Sequence, residues 1–246
     1  MALYAFNAEL ARIPDLVTEP ALGEMRLQWW RDVVDRSDRS GGTGAPVADA
    51  LVAVINTYEL PRHLVLGMID ARSADLDGGG FPDLQALKAY FYKSDGTLFM
   101  LSTYVVGGMD EQNGKIANKA GLAWGITNVL RSLPHDAASG RVMVPLSLLE
   151  RQEVLPEQLL AGEESDRLVN LIDELADEAR AARTEVRPQI DNLKNDQRSV
   201  FAPLALVEAY LAAVQAPGRS IMHEIADINP LKRFAKLWLA SRWGRI

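Results

Sequence analysis

The side chains able to do chemistry in this sequence are carboxylates, basic groups and hydroxyls, because its 246 residues include no cysteine. That excludes disulfides, zinc–thiolate sites, iron–sulfur clusters and thiol nucleophiles. The three histidines, His63, His135 and His223, lie far apart without metal-ligand spacing, which argues against zinc. No serine stands in a GxSxG setting, so a Ser-His-Asp hydrolase has no support. Glycine-rich stretches at 40–46 (SGGTGAP) and 77–80 (DGGG) could in principle cradle a phosphate. Neither has P-loop or GxGxxG spacing, nor a strand before it, and both read as connections between helices.

The net charge of -7 argues against non-specific nucleic-acid binding, which depends on Lys and Arg neutralising phosphates. The charge is unevenly placed. The segment 229–246 carries Lys232, Arg233, Lys236, Arg242 and Arg245 with no acid, so the rest of the chain stands near -12 once this +5 is subtracted. No apolar run approaches the roughly 18 residues that span a bilayer, and no basic region precedes the apolar residues of MALYAFNAEL, so the chain reads as cytoplasmic without a signal peptide.

Positioning these groups falls to helices. Apolar residues recur at helical spacing almost throughout, as in Leu3, Phe6, Leu10 and Ile13, or Leu168, Leu171, Ile172 and Leu175. Breakers divide the chain into expected helices at 2–17, 20–37, 46–58, 61–77, 83–107, 111–133, 145–151, 156–161, 165–190, 199–215 and 218–243, the last interrupted near Asn229-Pro230. Pro20 and Pro145 suit first helical turns, and Ser147 with Glu150 suits a capping box. The expectation is an all-α, single-domain helical bundle over residues 1–246. Trp29 and Trp30, adjacent on a helix, point about 100° apart, so one should pack inward and the other sit at a boundary.

Three stretches, in order, resemble motifs of the squalene/phytoene synthase family. LYAFNAELARIPDLV (3–17) is similar to its YAFCR-x-x-DDIxD helix, YFYKSDGTLFML (90–101) to YCYxVAGxVG, and ITNVLRSLPHDAASGRVMVP (126–145) to NILRDxxEDxxxGRxYLP. With the Glu24-Met25-Arg26-x-Gln28-Trp29-Trp30 helix that follows it, the first stretch resembles the branch containing the mitochondrial respiratory complex I assembly factor and its bacterial relatives. The resemblance implies an isoprenoid synthase type of helical fold. In such a fold, carboxylates one turn apart on two facing helices hold magnesium against a prenyl diphosphate, and an apolar cavity with aromatic rings receives the allylic cation.

Carried onto this chain, the resemblance implies Asp15 and Asp136 as catalytic and magnesium-binding carboxylates, and Asp95, at an alanine position of the family motif, could supply a third metal ligand. Arg12, Asn128, Arg131 and Arg141 would bind the substrate diphosphate, and Tyr90 and Tyr92 would line the cavity. The DDIxD positions read Ala11, Arg12, Ile13, Pro14 and Asp15, and Ser132 and His135 stand where the second motif has acids. One carboxylate per helix is a thin supply for magnesium, and Arg12 would repel the ion while gripping a phosphate oxygen. Each assignment has a structural counterpart: Asp15 in solvent, Asp136 as a loop cap, Arg131 and Arg141 in salt bridges, Asn128 bridging helices, the tyrosines in the core.

Two functions follow. One is a non-catalytic or weakly active protein that binds a prenyl diphosphate or lipid-like ligand and serves a respiratory assembly partner at the inner membrane. The other is a magnesium-dependent transferase acting on farnesyl or geranylgeranyl diphosphate. In the tail, Leu231, Phe234, Ala235, Trp238 and Leu239 form one helical stripe with basic residues beside it. The stripe either meets an anionic membrane surface or packs on the body of the bundle.

Overall fold

The computed structural model describes residues 1–37, 42–107 and 110–243, except for the side chain of Trp243. Ser40 and Gly41 of the first glycine-rich stretch, and Arg245 of the basic tail, lie outside the described residues. Fourteen α-helices follow one another among the described residues: α1 (Ala2–Ala11), α2 (Pro20–Asp35), α3 (Pro46–Thr57), α4 (Arg62–Ala71), α5 (Ala74–Asp77), α6 (Leu84–Phe91), α7 (Thr97–Val105), α8 (Glu111–Ala138), α9 (Leu146–Arg151), α10 (Pro156–Leu160), α11 (Asp166–Asp191), α12 (Asn195–Val200), α13 (Val207–Val214) and α14 (Pro230–Trp243). Short 3-10 turns cover Ile13–Leu16 and Ala202–Leu206, and a π-turn at Tyr92–Gly96 joins α6 to α7. No strand occurs among the described residues, where a bridge pairs Phe81 with Pro145.

The long helices start where side chains satisfy their free N–H groups. Asp110 accepts from the Asn113 backbone at the head of α8, Ser165 from Leu168 at α11, and Asp83 from Ala86 at α6. Several expected boundaries shift, each for a local reason. Pro14 ends α1 and turns the chain into a 3-10 turn, Pro203 does the same after α12, and Asn229-Pro230 opens α14, so residues 218–229 are not helical. In contrast, α8 runs past Pro134 to Ala138 although proline usually breaks a helix. Buried Leu133, Pro134 and Ala137 hold that last turn in the core, which offsets the hydrogen bond that Pro134 cannot make. The capping box expected at Ser147 does not form. The Leu146 and Ser147 backbones instead donate to the Phe81 and Pro82 carbonyls, so the loop satisfies the start of α9.

Apolar side chains gather in two large clusters. One joins α1 to α4 through Leu3, Phe6, Leu27, Trp30, Leu51 and Met68, and receives Leu98 and Leu101 from α7. The other surrounds α8 with Phe91, Phe99, Ile126, Leu171 and Phe201. Trp30 is buried edge-on against Phe6, while Trp29 stays exposed. Helix α8 sits close to the π-turn because Gly121 and Gly125 have no side chains. A Cβ at Gly121 would lie 2.2 Å from the Gly96 nitrogen, and one at Gly125 would lie 2.1 Å from the Phe91 ring.

Candidate functional site

The end of α1, the α4–α5 corner, the π-turn and the C-terminal half of α8 enclose a cavity of about 310 Å³. Its wall includes Phe91, Val129 and Met143, and its polar groups come in two sets.

The outer set is centred on Arg141. At the end of α8, Gly140 takes a left-handed conformation (φ 74°) and donates to the Ala137 carbonyl, while the Arg141 backbone donates to Asp136 O at 2.8 Å. This Schellman closure turns the chain back on the helix. The Arg141 guanidinium thereby donates to Asp136 Oδ1 at 2.8 Å and also meets Asp15 Oδ1 at 3.0 Å. Asp15 reaches it from the 3-10 turn that Pro14 creates. Ser132, one turn before Asp136, donates to its Oδ2 at 2.5 Å, and His135 Nε2 lies 3.3 Å from Asp15 Oδ1. Burial weakens the charged form of Arg141, but its bonds to Asp136 and Asp15 outweigh this and hold the proton more firmly.

The inner set is more deeply buried. Arg72 donates to Asn7 Oδ1 at 2.9 Å and to the Tyr90 hydroxyl at 2.7 Å, and lies 3.1 Å from Asp75 Oδ2. The Tyr90 hydroxyl in turn donates to Asp75 Oδ1 at 2.6 Å. Arg72, Asp75 and Asp95 are 9%, 6% and 7% exposed, so these charges are almost wholly removed from water. Burial works against the Arg72 charge, and the oxygens of Tyr90, Asp75 and Asp95 more than compensate. Burial also pushes the Asp95 carboxyl up to about 6, against the opposing pull of Arg72, and lifts the Tyr90 phenol well above its usual range. The Arg72 Nε is buried without a hydrogen-bond partner.

The cavity therefore unites Asp15, Asp95, Asn128, Asp136, Arg141 and Tyr90. Three other residues singled out from the sequence lie elsewhere. Arg12 extends into solvent, 3.9 Å from Glu9. Arg131 stacks 3.6 Å from the centre of the Tyr210 ring and donates to the Ala226 carbonyl. Tyr92 packs against the cluster around α8. Sequence reasoning missed Asn7, Arg72 and Asp75. Their one local signal is an opposite-charge pair three residues apart, Arg72 and Asp75. Among the described residues, no three carboxylate or imidazole side chains converge as a cation site.

The helical bundle, with its cavity beside α8, has the isoprenoid synthase type of fold, which it shares with solved squalene and dehydrosqualene synthases. The family model for squalene/phytoene synthase matches residues 1–233, and the chain belongs to that family. It is 26% identical over 241 residues to the mouse NADH dehydrogenase (ubiquinone) complex I, assembly factor 6, covering 96% of this chain and 72% of the relative. It is 29% identical over 219 residues to the 15-cis-phytoene synthase of Synechocystis, covering 82% of this chain and 64% of that one. A ligand-bound dehydrosqualene synthase superposes with a TM-score of 0.78 at 21% identity, over 99% of this chain and 85% of that one. A squalene synthase from Alicyclobacillus acidocaldarius gives 0.75 at 22%, over 87% and 81%. No described helix is long and apolar enough to cross a membrane.

Proposed function

We propose that this chain binds an isoprenoid diphosphate or a related lipid-like ligand without turning it over, and that it serves the assembly of a respiratory complex. One observation carries the reading: with Ala11, Arg12, Ser132 and His135 at the other motif positions, Asp15 and Asp136 are the acids that remain, and the Arg141 guanidinium already engages both, 3.0 and 2.8 Å from their oxygens. The two motif carboxylates already share a fixed cation, and a magnesium ion placed there would meet its repulsion. Beside them, Phe91, Val129 and Met143 offer an apolar wall for a prenyl chain, while Asn128, Ser132 and His135 offer polar contacts for its head. The assembly role rests on the likeness to the complex I assembly factors.

The test is incubation with farnesyl or geranylgeranyl diphosphate and magnesium, followed by pyrophosphate assay, product mass spectrometry and binding calorimetry. Binding without pyrophosphate release is the expected result. Release that disappears in Asp15→Asn and Asp136→Asn would establish the alternative, a magnesium-dependent prenyl transferase of the head-to-head type. Gene deletion addresses the second half of the proposal, since normal complex I levels in the deleted strain would remove the assembly role.

A further inference from the structure

Helix α14 shows its two faces to different surroundings. Ala240 is buried at 1% exposure and Leu237 packs on the core, so one side is fixed to the body of the protein. Arg233 secures the same side, holding both carboxylate oxygens of Asp227 at 2.6 and 2.7 Å, and Asp227 lies 3.6 Å from Arg131 of α8. On the opposite side, Leu231, Phe234 and Trp238 remain 78%, 69% and 49% exposed, with exposed Ala235 between them. The spacing 231, 234, 235, 238 places them on one face over two turns. Lys232 and Arg242, both exposed, stand beside this stripe, and segment 229–246 has no acid.

We propose that α14 docks the protein on an anionic lipid surface. Leu231, Phe234 and Trp238 enter the boundary between headgroups and acyl chains, while Lys232, Lys236 and Arg242 meet lipid phosphates. Charge selects this occupant: Asp227 holds Arg233, which leaves Lys232, Lys236 and Arg242 as the cations of the described helix, in a segment without acids. Size points the same way. The exposed parts of the three large side chains amount to on the order of 400 Å², well short of the roughly 800 Å² per side of a stable protein interface. A shallow apolar strip flanked by cations does suffice for an interfacial helix, and a tryptophan with its polar N–H suits that depth. The inference does not depend on what fills the cavity.

Cosedimentation of the full chain with phosphatidylcholine vesicles, with and without phosphatidylglycerol, tests it. The chain should sediment with the anionic vesicles, less so at high salt, and not with phosphatidylcholine alone. The triple variant Leu231→Gln, Phe234→Gln, Trp238→Gln should bind about tenfold more weakly or worse, with an unchanged melting temperature and oligomeric state. Lys232→Glu with Arg242→Glu should lose binding to the anionic vesicles while remaining folded. Failure of the unmodified chain to sediment would overturn the proposal, as would full vesicle binding by the triple variant. A sharp fall in its melting temperature would identify the stripe as core, and conversion of a dimer to a monomer would identify it as a contact between copies of the chain; either result overturns the lipid surface.

Discussion

Arg141 reaches Asp15 and Asp136 because a glycine at position 140 lets the chain fold back, and the pairing is local on one side and long-range on the other. The buried acid Asp95 lends itself to measurement. Its carboxyl rises from 3.8 to about 6 on folding, so between those values the folded state holds a proton that the unfolded state has lost. Stability should therefore fall as pH rises from about 4 to about 6 and level off above that window. At 1.4 kcal/mol per unit, the contribution is on the order of 3 kcal/mol. Asp95→Asn removes the titration. In urea unfolding, the variant should match the parent near pH 4 and exceed it by about 1–3 kcal/mol at pH 7.5; parallel curves would contradict the assignment. Asp15, Asp136 and Arg141 were legible in the sequence because they sit at motif positions. Arg72 and Asp75 were not, since what marks them is burial against Tyr90, 15 to 18 positions later, and spacing along the chain does not reveal burial. Arg12 and Arg131 mark the opposite limit, because a motif match names a residue without fixing the side on which its guanidinium finds partners.

At the scale of elements, the close approach of α8 to the π-turn depends on Gly121. Gly121→Ala would set a methyl 2.2 Å from backbone that has no rotamer to yield, so the two segments must separate. A cost of about 1–3 kcal/mol is expected, together with faster amide hydrogen exchange at residues 92–96. Unchanged exchange there would show that the helices accommodate the methyl. The helical pattern was readable nearly everywhere because apolar spacing repeats with the helical period, and proline located most of the breaks. Pro134 misled because burial of the surrounding turn outweighs one lost hydrogen bond, and Ser147 misled because backbone carbonyls at 81 and 82 took the place of a side-chain cap. The π-turn has no distinctive composition and could not be foreseen.

At the scale of the molecule, the apolar lining of the cavity, Tyr90, Phe91, Val129 and Met143, belongs to the cluster around α8, while its polar groups come from elements of both halves. A ligand that binds only the folded state stabilises it by about 2.7 kcal/mol at one hundred times its dissociation constant. For a chain of this length, that corresponds to a rise of roughly 5–10 °C in melting temperature. Farnesyl diphosphate should produce this shift equally with magnesium or with EDTA; a rise that requires magnesium would contradict binding without a metal. The π-turn also sets a phase. It takes up one more residue than an α-turn, so every side chain after it lies about 100° from where unbroken α winding would place it. The rod formed by α6 and α7 thus shows Leu87, Tyr90 and Phe91 to the cluster around α8, then turns Leu98 and Leu101 toward the cluster of α1–α4. It works as a phase shifter. Winding the same residues as an unbroken α-helix would rotate Leu98 and Leu101 onto the face of Leu87, Tyr90 and Phe91 and out of their cluster, so the turn that places Asp95 at the cavity also decides which cluster these leucines join.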